Sequence, residues 1–347
     1  MKAMVYDNYG PPEVLHLAEL EKPEPKDHEI LIKIMATTVN YGDLLARKFN
    51  SVSTREFNML ALFWFLARID FGFKKPRRKI LGSQFAGIVE SVGKEVKNFK
   101  VGDEVFGYPG QKMGTYAEYL CMSENDTVTA KPTNMTFEEA AVIPYGAIMA
   151  LHLLQKADIQ PGQKVLIIGA GGGIGSAAVQ IASSHFGAKV TGVCGTPRLK
   201  FVKSLGAEKS IDYTKEDYIQ SDEKYDLIFD ILGKSSFAHC KDSLNENGRY
   251  LLASFKTKQL LQMLWTSRVG NKKVICTLAP GGVRDLISVK ELAEAGKIKV
   301  IIDKRYPMHK TAEAHSDVEN GRQKGHVVLT WDSGALNQTE VKNDQFK

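Results

Sequence analysis

The stretch that most constrains the fold is Lys164-Val-Leu-Ile-Ile-Gly-Ala-Gly-Gly-Gly-Ile-Gly-Ser-Ala-Ala-Val-Gln-Ile-Ala182. Val165 to Ile168 is a short apolar run rich in β-branched residues, as expected of a strand covered on both faces. Gly169, Gly171, Gly172, Gly173 and Gly175 follow at once. An ordinary surface turn has no need of so many glycines. They suit a backbone that turns sharply, lies against a ligand and lets a helix pack closely on a strand. From Ile174 onward small and apolar residues recur at helical spacing. A helix starting here points its free N–H groups at the turn, which makes a site for a pyrophosphate. Strand, glycine turn and helix together imply a dinucleotide-binding α/β unit.

The next strand, read over Ala188 to Cys194, bears on which dinucleotide. NAD-selective sites carry an Asp or Glu near its end to bond the ribose hydroxyls. Here that place holds Gly195-Thr-Pro-Arg-Leu-Lys200, with no acid before Glu208. A hydroxyl and a guanidinium bind a 2′-phosphate, whereas a carboxylate repels it. The expected cofactor is NADP(H), with Gly195, Thr196 and Arg198 around the phosphate. A solvated helix start accounts equally well for Arg198 or Lys200 taken singly, so the missing acid carries the inference.

A chain of 347 residues exceeds one typical core and implies two domains. Its hydrophobic content of 43% and charged content of 25% are those of an ordinary globular enzyme. The net charge of +6 is mild, much of it in Lys74-Lys75-Pro76-Arg77-Arg78-Lys79, and no nucleic-acid partner is expected. Cys121, Cys194, Cys240 and Cys276 are widely spaced with no C-x-x-C, against a disulfide framework or a four-cysteine zinc. The N-terminus opens directly as a strand with no signal peptide ahead of it, which points to the cytoplasm.

Residues 1–125 read as many short strands separated by Gly and Pro, the pattern of a small barrel. Phe57 to Phe73 breaks that pattern as an apolar, aromatic helix followed by the basic run. It is too short and interrupted to cross a bilayer. It reads first as the wall of an apolar substrate pocket, and second as a helix lying on a membrane surface. Thr136 to Glu139 resembles a helix start, and the helix to Lys156 is expected to break at Pro144-Tyr-Gly146. Beyond it strands and helices alternate, as in a doubly wound parallel sheet with its ligand at the strand carboxyl ends. Strands are expected at Lys209–Asp212, Tyr225–Ile231, Gly248–Ala253, Lys273–Leu278, Lys299–Ile302 and His326–Thr330. Helices are expected at Arg198–Leu205, Phe237–Leu244, Val283–Gly296 and Thr311–Asn320.

Several motifs coincide: Gly82-x-x-x-Ala-Gly87-Ile-Val, Val101-Gly-Asp-Glu-Val-Phe-Gly107, the 161–175 run, Leu205-Gly-Ala207 with Asp212-Tyr213, and Gly325-His-Val-Val328. With them the chain resembles the medium-chain dehydrogenase/reductase superfamily, and within it the zinc-free quinone oxidoreductase-like branch. The resemblance implies a GroES-like β-barrel catalytic domain (1–126 and 280–333), a Rossmann domain (127–279) inserted in it, and a polar tail (334–347). Zinc alcohol dehydrogenases of the superfamily carry metal ligands where this chain has Asn40, Ser83, Gln84 and Tyr145, so no metal site is expected. Without a Lewis acid, simple alcohol oxidation is disfavoured. Hydride transfer from NADPH to a small, apolar acceptor that is already electrophilic, a quinone or an α,β-unsaturated carbonyl, remains. By the same resemblance Asn40 faces the nicotinamide, Tyr213 flanks the adenosine phosphate, and Leu232, Gly233 and Ser254 line the nicotinamide half. Tyr41 and Tyr145 are candidate proton donors, although a cleft wall explains either tyrosine as well. The branch also suggests a homodimer. A non-catalytic NADPH-binding regulator is the competing function.

Overall fold

The glycine turn lies between a buried strand and a helix, and the sheet around that strand is wholly parallel. The computed structural model describes residues 1–219, 223–321 and 323–331. The first half of the chain supplies strands β1 (Lys2–Val5), β2 (His16–Glu19), β3 (Glu29–Thr38), β4 (Phe85–Val92), β5 (Glu104–Gly107), β6 (Tyr119–Ser123) and β7 (Val128–Ala130). Helices α1 (Tyr41–Arg47), α2 (Thr54–Phe57) and α3 (Ala61–Phe71) lie between β3 and β4, and α4 (Phe137–Lys156) follows β7. Then come β8 (Lys164–Ile168), α5 (Gly173–Gln180), β9 (Lys189–Cys194), α6 (Leu199–Ser204), β10 (Lys209–Asp212) and β11 (Tyr225–Asp230). The chain continues with α7 (Phe237–Cys240), β12 (Leu244–Leu252), α8 (Thr257–Thr266) and β13 (Lys273–Cys276). It closes with α9 (Val283–Glu294), β14 (Ile302–Pro307), α10 (Thr311–Glu319) and β15 (His326–Thr330).

The parallel sheet runs β10-β9-β8-β11-β12-β13, so strand order reverses between β8 and β11. Ligands of such sheets bind outside the strand carboxyl ends at that reversal. The other large sheet runs β14-β15-β3-β4-β5-β7, with β6 also on β3. β3 is long enough to pair β6 along residues 29–33 and β15 along residues 36–38 while β4 lies along it. The end of the chain is thereby returned to the first domain.

Helix α4 joins the two sheets and is continuous, contrary to the expected break. Thr136 and Glu139 close its start reciprocally, the Glu139 N–H on Thr136 Oγ1 at 3.2 Å and the Thr136 N–H on Glu139 Oε2 at 2.9 Å. Pro144 lies inside the helix and disturbs its ladder. The neighbouring Tyr145 N–H is taken by Gln84 Oε1 at 2.9 Å, so the proline leaves no orphan donor there. This is the one described helix long and apolar enough to cross a membrane, and most of its apolar residues are buried in the core between the sheets.

Other boundaries also differ from expectation. The aromatic helix is two helices, parted at Asn58, whose φ of 50° is left-handed. Phe237 begins only one helical turn, and β12 starts at Leu244. The penultimate strand is β14 rather than Lys299–Ile302. All four cysteines are free, Cys194 and Cys240 buried, Cys121 and Cys276 partly so. The polar tail falls outside the described residues.

Candidate active site

The five glycines of the turn have different work. Gly169 has φ of +92°, which disfavours any side chain, and a Cβ there would lie 3.2 Å from Leu232 Cγ at the end of β11. Gly175 lets α5 sit on the strand, since a Cβ there would come within 2.1 Å of Gly169 O. Gly171 lies under Arg198, whose Cδ would be 2.5 Å from a Cβ. Gly172 and Gly173 are open: a Cβ on Gly172 would meet only Gly169 O, at 3.5 Å, and one on Gly173 nothing. Gly172 is the N-cap of α5, with no side chain capping the free N–H groups behind it, the first of them those of Gly173 and Ile174. Open space over uncapped N–H groups at a helix start fits an anionic pyrophosphate. The φ of Gly172 is −84°, so a side chain there would meet no backbone strain.

The corner at the end of β9 corrects the expected loop chemistry. A carboxylate is present: Asp212, at the end of β10 and in register with Cys194 of β9, accepts from Thr196 Oγ1 at 2.5 Å. Its other oxygen accepts from the Thr214 N–H at 3.0 Å and Thr214 Oγ1 at 2.7 Å. These bonds, the Thr196 hydroxyl first, hold the Asp212 pKa below the usual carboxylate value. Thr196 is thus engaged by a carboxylate rather than held free for a phosphate. Arg198 is committed in part too: NH1 donates to Gly171 O at 2.8 Å and Nε to Gln323 O at 3.1 Å. It ties the glycine turn to the loop before β15. Tyr213 is exposed, with its ring beside Gly195.

Helix α4 leads from the glycine turn to a cavity. Gly146 packs against the turn, its would-be Cβ 2.5 Å from Gly173 O, and the preceding Tyr145 lines a cavity together with Asn40, Ser83, Tyr108, Phe57 and Phe71. Tyr145 and Tyr108 pack with ring centroids 5.6 Å apart. Asn40, the N-cap of α1, points its Nδ2 at Ser83 Oγ, 3.3 Å away. Tyr41 does not belong to this group: it is the first residue of α1, 62% exposed, and off the cavity wall. Leu232, Gly233 and Ser254 do gather at the ends of β11 and β12. Asn58 ties them to the first domain, its Nδ2 donating to Leu232 O at 2.8 Å and its carbonyl accepting from Ser254 Oγ at 2.5 Å.

Behind the cavity lies a residue that the sequence reading missed. Asp43 is fully buried on α1 and reaches back to accept the Asn40 N–H on Oδ2 at 2.8 Å. Its Oδ1 has no partner of good hydrogen-bond geometry, with the Gly82 N–H and the Ser83 and Tyr116 hydroxyls its loose polar neighbours. Burial pushes its carboxyl up to about 7, against the partial pull of those donors. Tyr116 Oη lies 3.0 Å from His315 Nε2, and Arg47 NH1 lies 3.1 Å from His315 Nδ1. Arg47 is itself buried and donates to Glu319 Oε1 at 2.7 Å. Arginine donates only, so it assigns Nδ1 as acceptor and leaves the Nε2 proton for Tyr116. Burial holds His315 neutral, with its pKa down at about 3. The signal for Asp43 was local: an Asn N-cap with an acid three residues on.

Because the Asp43 pKa is raised on folding, the folded chain binds a proton that the unfolded chain has already released. That stabilisation is complete below the unfolded value of 3.8 and is lost as pH rises towards about 7. Asp43→Asn, which does not titrate, is expected to gain stability relative to wild type between about pH 5 and about pH 8, by roughly 2 kcal/mol. Urea unfolding of both proteins at the two pH values measures this. An equal stability difference at both contradicts it.

The places where zinc enzymes of this fold carry ligands do not fit a metal here. Gln84 is fixed by Tyr145 N–H and by its own donation to Thr38 Oγ1 at 2.5 Å, and Asn40 faces Ser83. The set offers no thiolate or imidazole. No group of three His, Cys, Asp or Glu that could hold a metal occurs among the described residues. The purified protein is expected to contain no stoichiometric zinc and to keep its activity in chelator. One zinc per chain by elemental analysis would contradict this.

A parallel sheet with a glycine cradle at its switch point, beside a cavity on a second domain with a mostly antiparallel sheet, is the arrangement of a nicotinamide-dependent oxidoreductase. The chain belongs to the medium-chain dehydrogenase/reductase superfamily. Residues 26–133 match the alcohol dehydrogenase GroES-like domain, and residues 205–329 match a zinc-binding dehydrogenase domain. The chain is 33% identical to a 2-methylene-furan-3-one reductase of Solanum lycopersicum, over 95% of this chain and 79% of that protein. It is 31% identical to the chloroplastic NADPH-dependent alkenal/one oxidoreductase of Arabidopsis thaliana, with the same coverage of 95% and 79%. The structure of a quinone oxidoreductase from Coxiella burnetii superposes with a TM-score of 0.79 at 28% identity, covering 96% of this chain and 99% of that one.

Proposed function

We propose that the protein is an NADPH-dependent, zinc-independent reductase of quinones or α,β-unsaturated carbonyls. The observation that carries this is the cavity: aromatic walls and the Asn40 amide, beside the glycine turn, with no Cys, His, Asp or Glu in its lining. The names of the relatives support the same acceptor class. Bound in the cleft, the reduced nicotinamide supplies the hydride. The chain's part is placement and dryness. Phe57, Phe71, Tyr108 and Tyr145 surround a planar apolar acceptor and exclude water. The Asn40 amide donates to the acceptor's carbonyl oxygen as that oxygen gains charge, exchanging Ser83 for it. Asp43 fixes Asn40 from behind through its backbone N–H. Tyr145 donates no proton readily, since burial raises its pKa. Solvent is the proton source in this reading.

The preference for NADPH over NADH rests on Arg198 and Tyr213. Asp212 is buried and already engaged by three hydroxyl and N–H donors, so it is not offered to a ribose hydroxyl. NH2 of Arg198 makes no hydrogen bond among the described residues and is the group offered to the phosphate. A bond to a charged group contributes roughly 1.5–3 kcal/mol, or about ten- to a hundredfold in affinity. Arg198→Ala is expected to weaken NADPH by that factor. NADH weakens less, and not at all only if the turn survives the loss of the Gly171 and Gln323 bonds. Titration with both cofactors measures the ratio, and an unchanged ratio contradicts the assignment.

A further inference from the structure

Segment 51–79 has two faces, and only one serves the cavity. Inward, Phe57 and Phe71 line the cavity wall, and Trp64 Nε1 donates to Val52 O at 2.9 Å. Outward, Leu62, Phe65, Leu66 and Ile69 of α3 and Phe73 just past it are exposed. Their spacing puts them on one helical stripe. The basic run follows directly. Arg78 and Lys79 are paired with Asp70 and Asp7, whereas Lys74, Lys75 and Arg77 are exposed with no carboxylate partner among the described residues.

A second stripe comes from the other domain. Leu261, Leu264 and Trp265 of α8 are exposed, with exposed Lys258 and Arg268 beside them. Both segments rest on one buried cluster: Leu60, before α3, packs against it, as do Leu260 and Met263 of α8. Asn58 bonds Leu232 and Ser254, at the ends of β11 and β12. Two apolar helix faces with unpaired cations thus lie on segments that share one buried cluster, close to the Asn58 contacts with Leu232 and Ser254.

We propose that this face docks on an anionic lipid surface, with α3 and α8 lying in the interface and the cleft mouth toward the lipid. The proposal rests on the reductase reading for its purpose: an apolar acceptor is delivered from the membrane to the cavity. The physical case rests on charge complementarity. Aromatic and aliphatic side chains on one helix face, next to unpaired lysine and arginine, suit the boundary of acyl chains and anionic headgroups. A second copy of the chain suits it less. A two-fold contact sets the same patch on both partners and brings these cations towards their own equivalents.

The test is flotation of the full chain with vesicles of phosphatidylcholine alone and of phosphatidylcholine with one third phosphatidylglycerol. The wild type is expected to float with the anionic vesicles and to be released by salt. Combined Lys74→Gln, Lys75→Gln and Arg77→Gln is expected to lower partitioning about a hundredfold, from the loss of three cations at an anionic surface. Combined Leu62→Ser, Phe65→Ser and Ile69→Ser is expected to abolish flotation. Both variants are expected to keep wild-type turnover of NADPH with a water-soluble quinone, which shows that they are folded. Wild type that floats with neither vesicle overturns the proposal, as does flotation indifferent to lipid charge. A wild-type dimer that stays unfloated and becomes monomeric in Phe65→Ser assigns the face to a second copy and also overturns it. Failed turnover with intact anionic flotation removes the reductase reading and leaves the docking face standing.

Discussion

Gly172→Val is expected to abolish NADP(H) binding in a protein that still folds. The backbone at 172 is extended, with φ of −84° and ψ of 176°, a conformation that valine adopts readily. Its Cβ would touch only Gly169 O, at an ordinary 3.5 Å, so the neighbouring structure has no reason to move. The methyl groups instead enter the open space over the start of α5. A pyrophosphate held by the N–H groups there loses its seat. Loss of two charge-assisted hydrogen bonds alone weakens binding by at least about a hundredfold. Fluorescence titration with NADPH measures affinity, and thermal melting without cofactor checks the fold. Wild-type affinity in a folded variant would mean that the turn is not the phosphate site.

Gly175→Val, three residues on, is expected to fail in the opposite way. Its Cβ would lie 2.1 Å from Gly169 O and 2.8 Å from Ala170 Cα, both backbone atoms that no rotamer change can move aside. Helix α5 would have to lift from β8, opening a core that includes Ala178 and Val179. Overpacking of this kind costs about 3 kcal/mol or more. Urea unfolding of the cofactor-free variant is expected to show a large drop in midpoint, or no soluble protein at all. A wild-type midpoint would show that the helix and strand tolerate separation. The pair of variants divides the glycines into those that serve the ligand and those that serve packing.

What was legible in the sequence was whatever one local segment determines. The strand, turn and helix around Gly169 to Gly175 are contiguous, and period and glycine content together identify them. Asp212 was missed as a partner of Thr196 because it lies 16 residues away, brought alongside only by the parallel register of β10 on β9. β14 was misplaced because Asp303, Lys304 and Arg305 look like a loop. As an edge strand paired only with β15, it keeps those charges in solvent, which also guards the edge.

The candidate site shows the same division. Asn40 and Tyr145 were found through resemblance to a family, not from their own neighbours in sequence. Tyr41 is a plausible proton donor by residue type, but the first residue of a helix need not face the way its N-cap does. Pro144 suggested a broken helix because nothing in sequence reveals that Gln84, on another element, takes the adjacent N–H. Asp43 carries a local capping signal, but the neighbours of its second oxygen, Gly82, Ser83 and Tyr116, are distant in the chain. Conflicts between local rules and the fold gather around the cavity, where function competes with regular structure.

The most direct test of the central claim is stopped-flow oxidation of NADPH by the purified, zinc-free protein. The acceptor panel is a set of quinones and 2-alkenals, with saturated aldehydes and ketones of matching size as controls. Rapid oxidation is expected with quinones or alkenals, slower oxidation of NADH, and none with the saturated carbonyls, which need a Lewis acid or a ready proton donor. Tight NADPH binding with no turnover of any acceptor would contradict it and leave a cofactor-binding regulator. Turnover of saturated ketones would contradict it in the other direction.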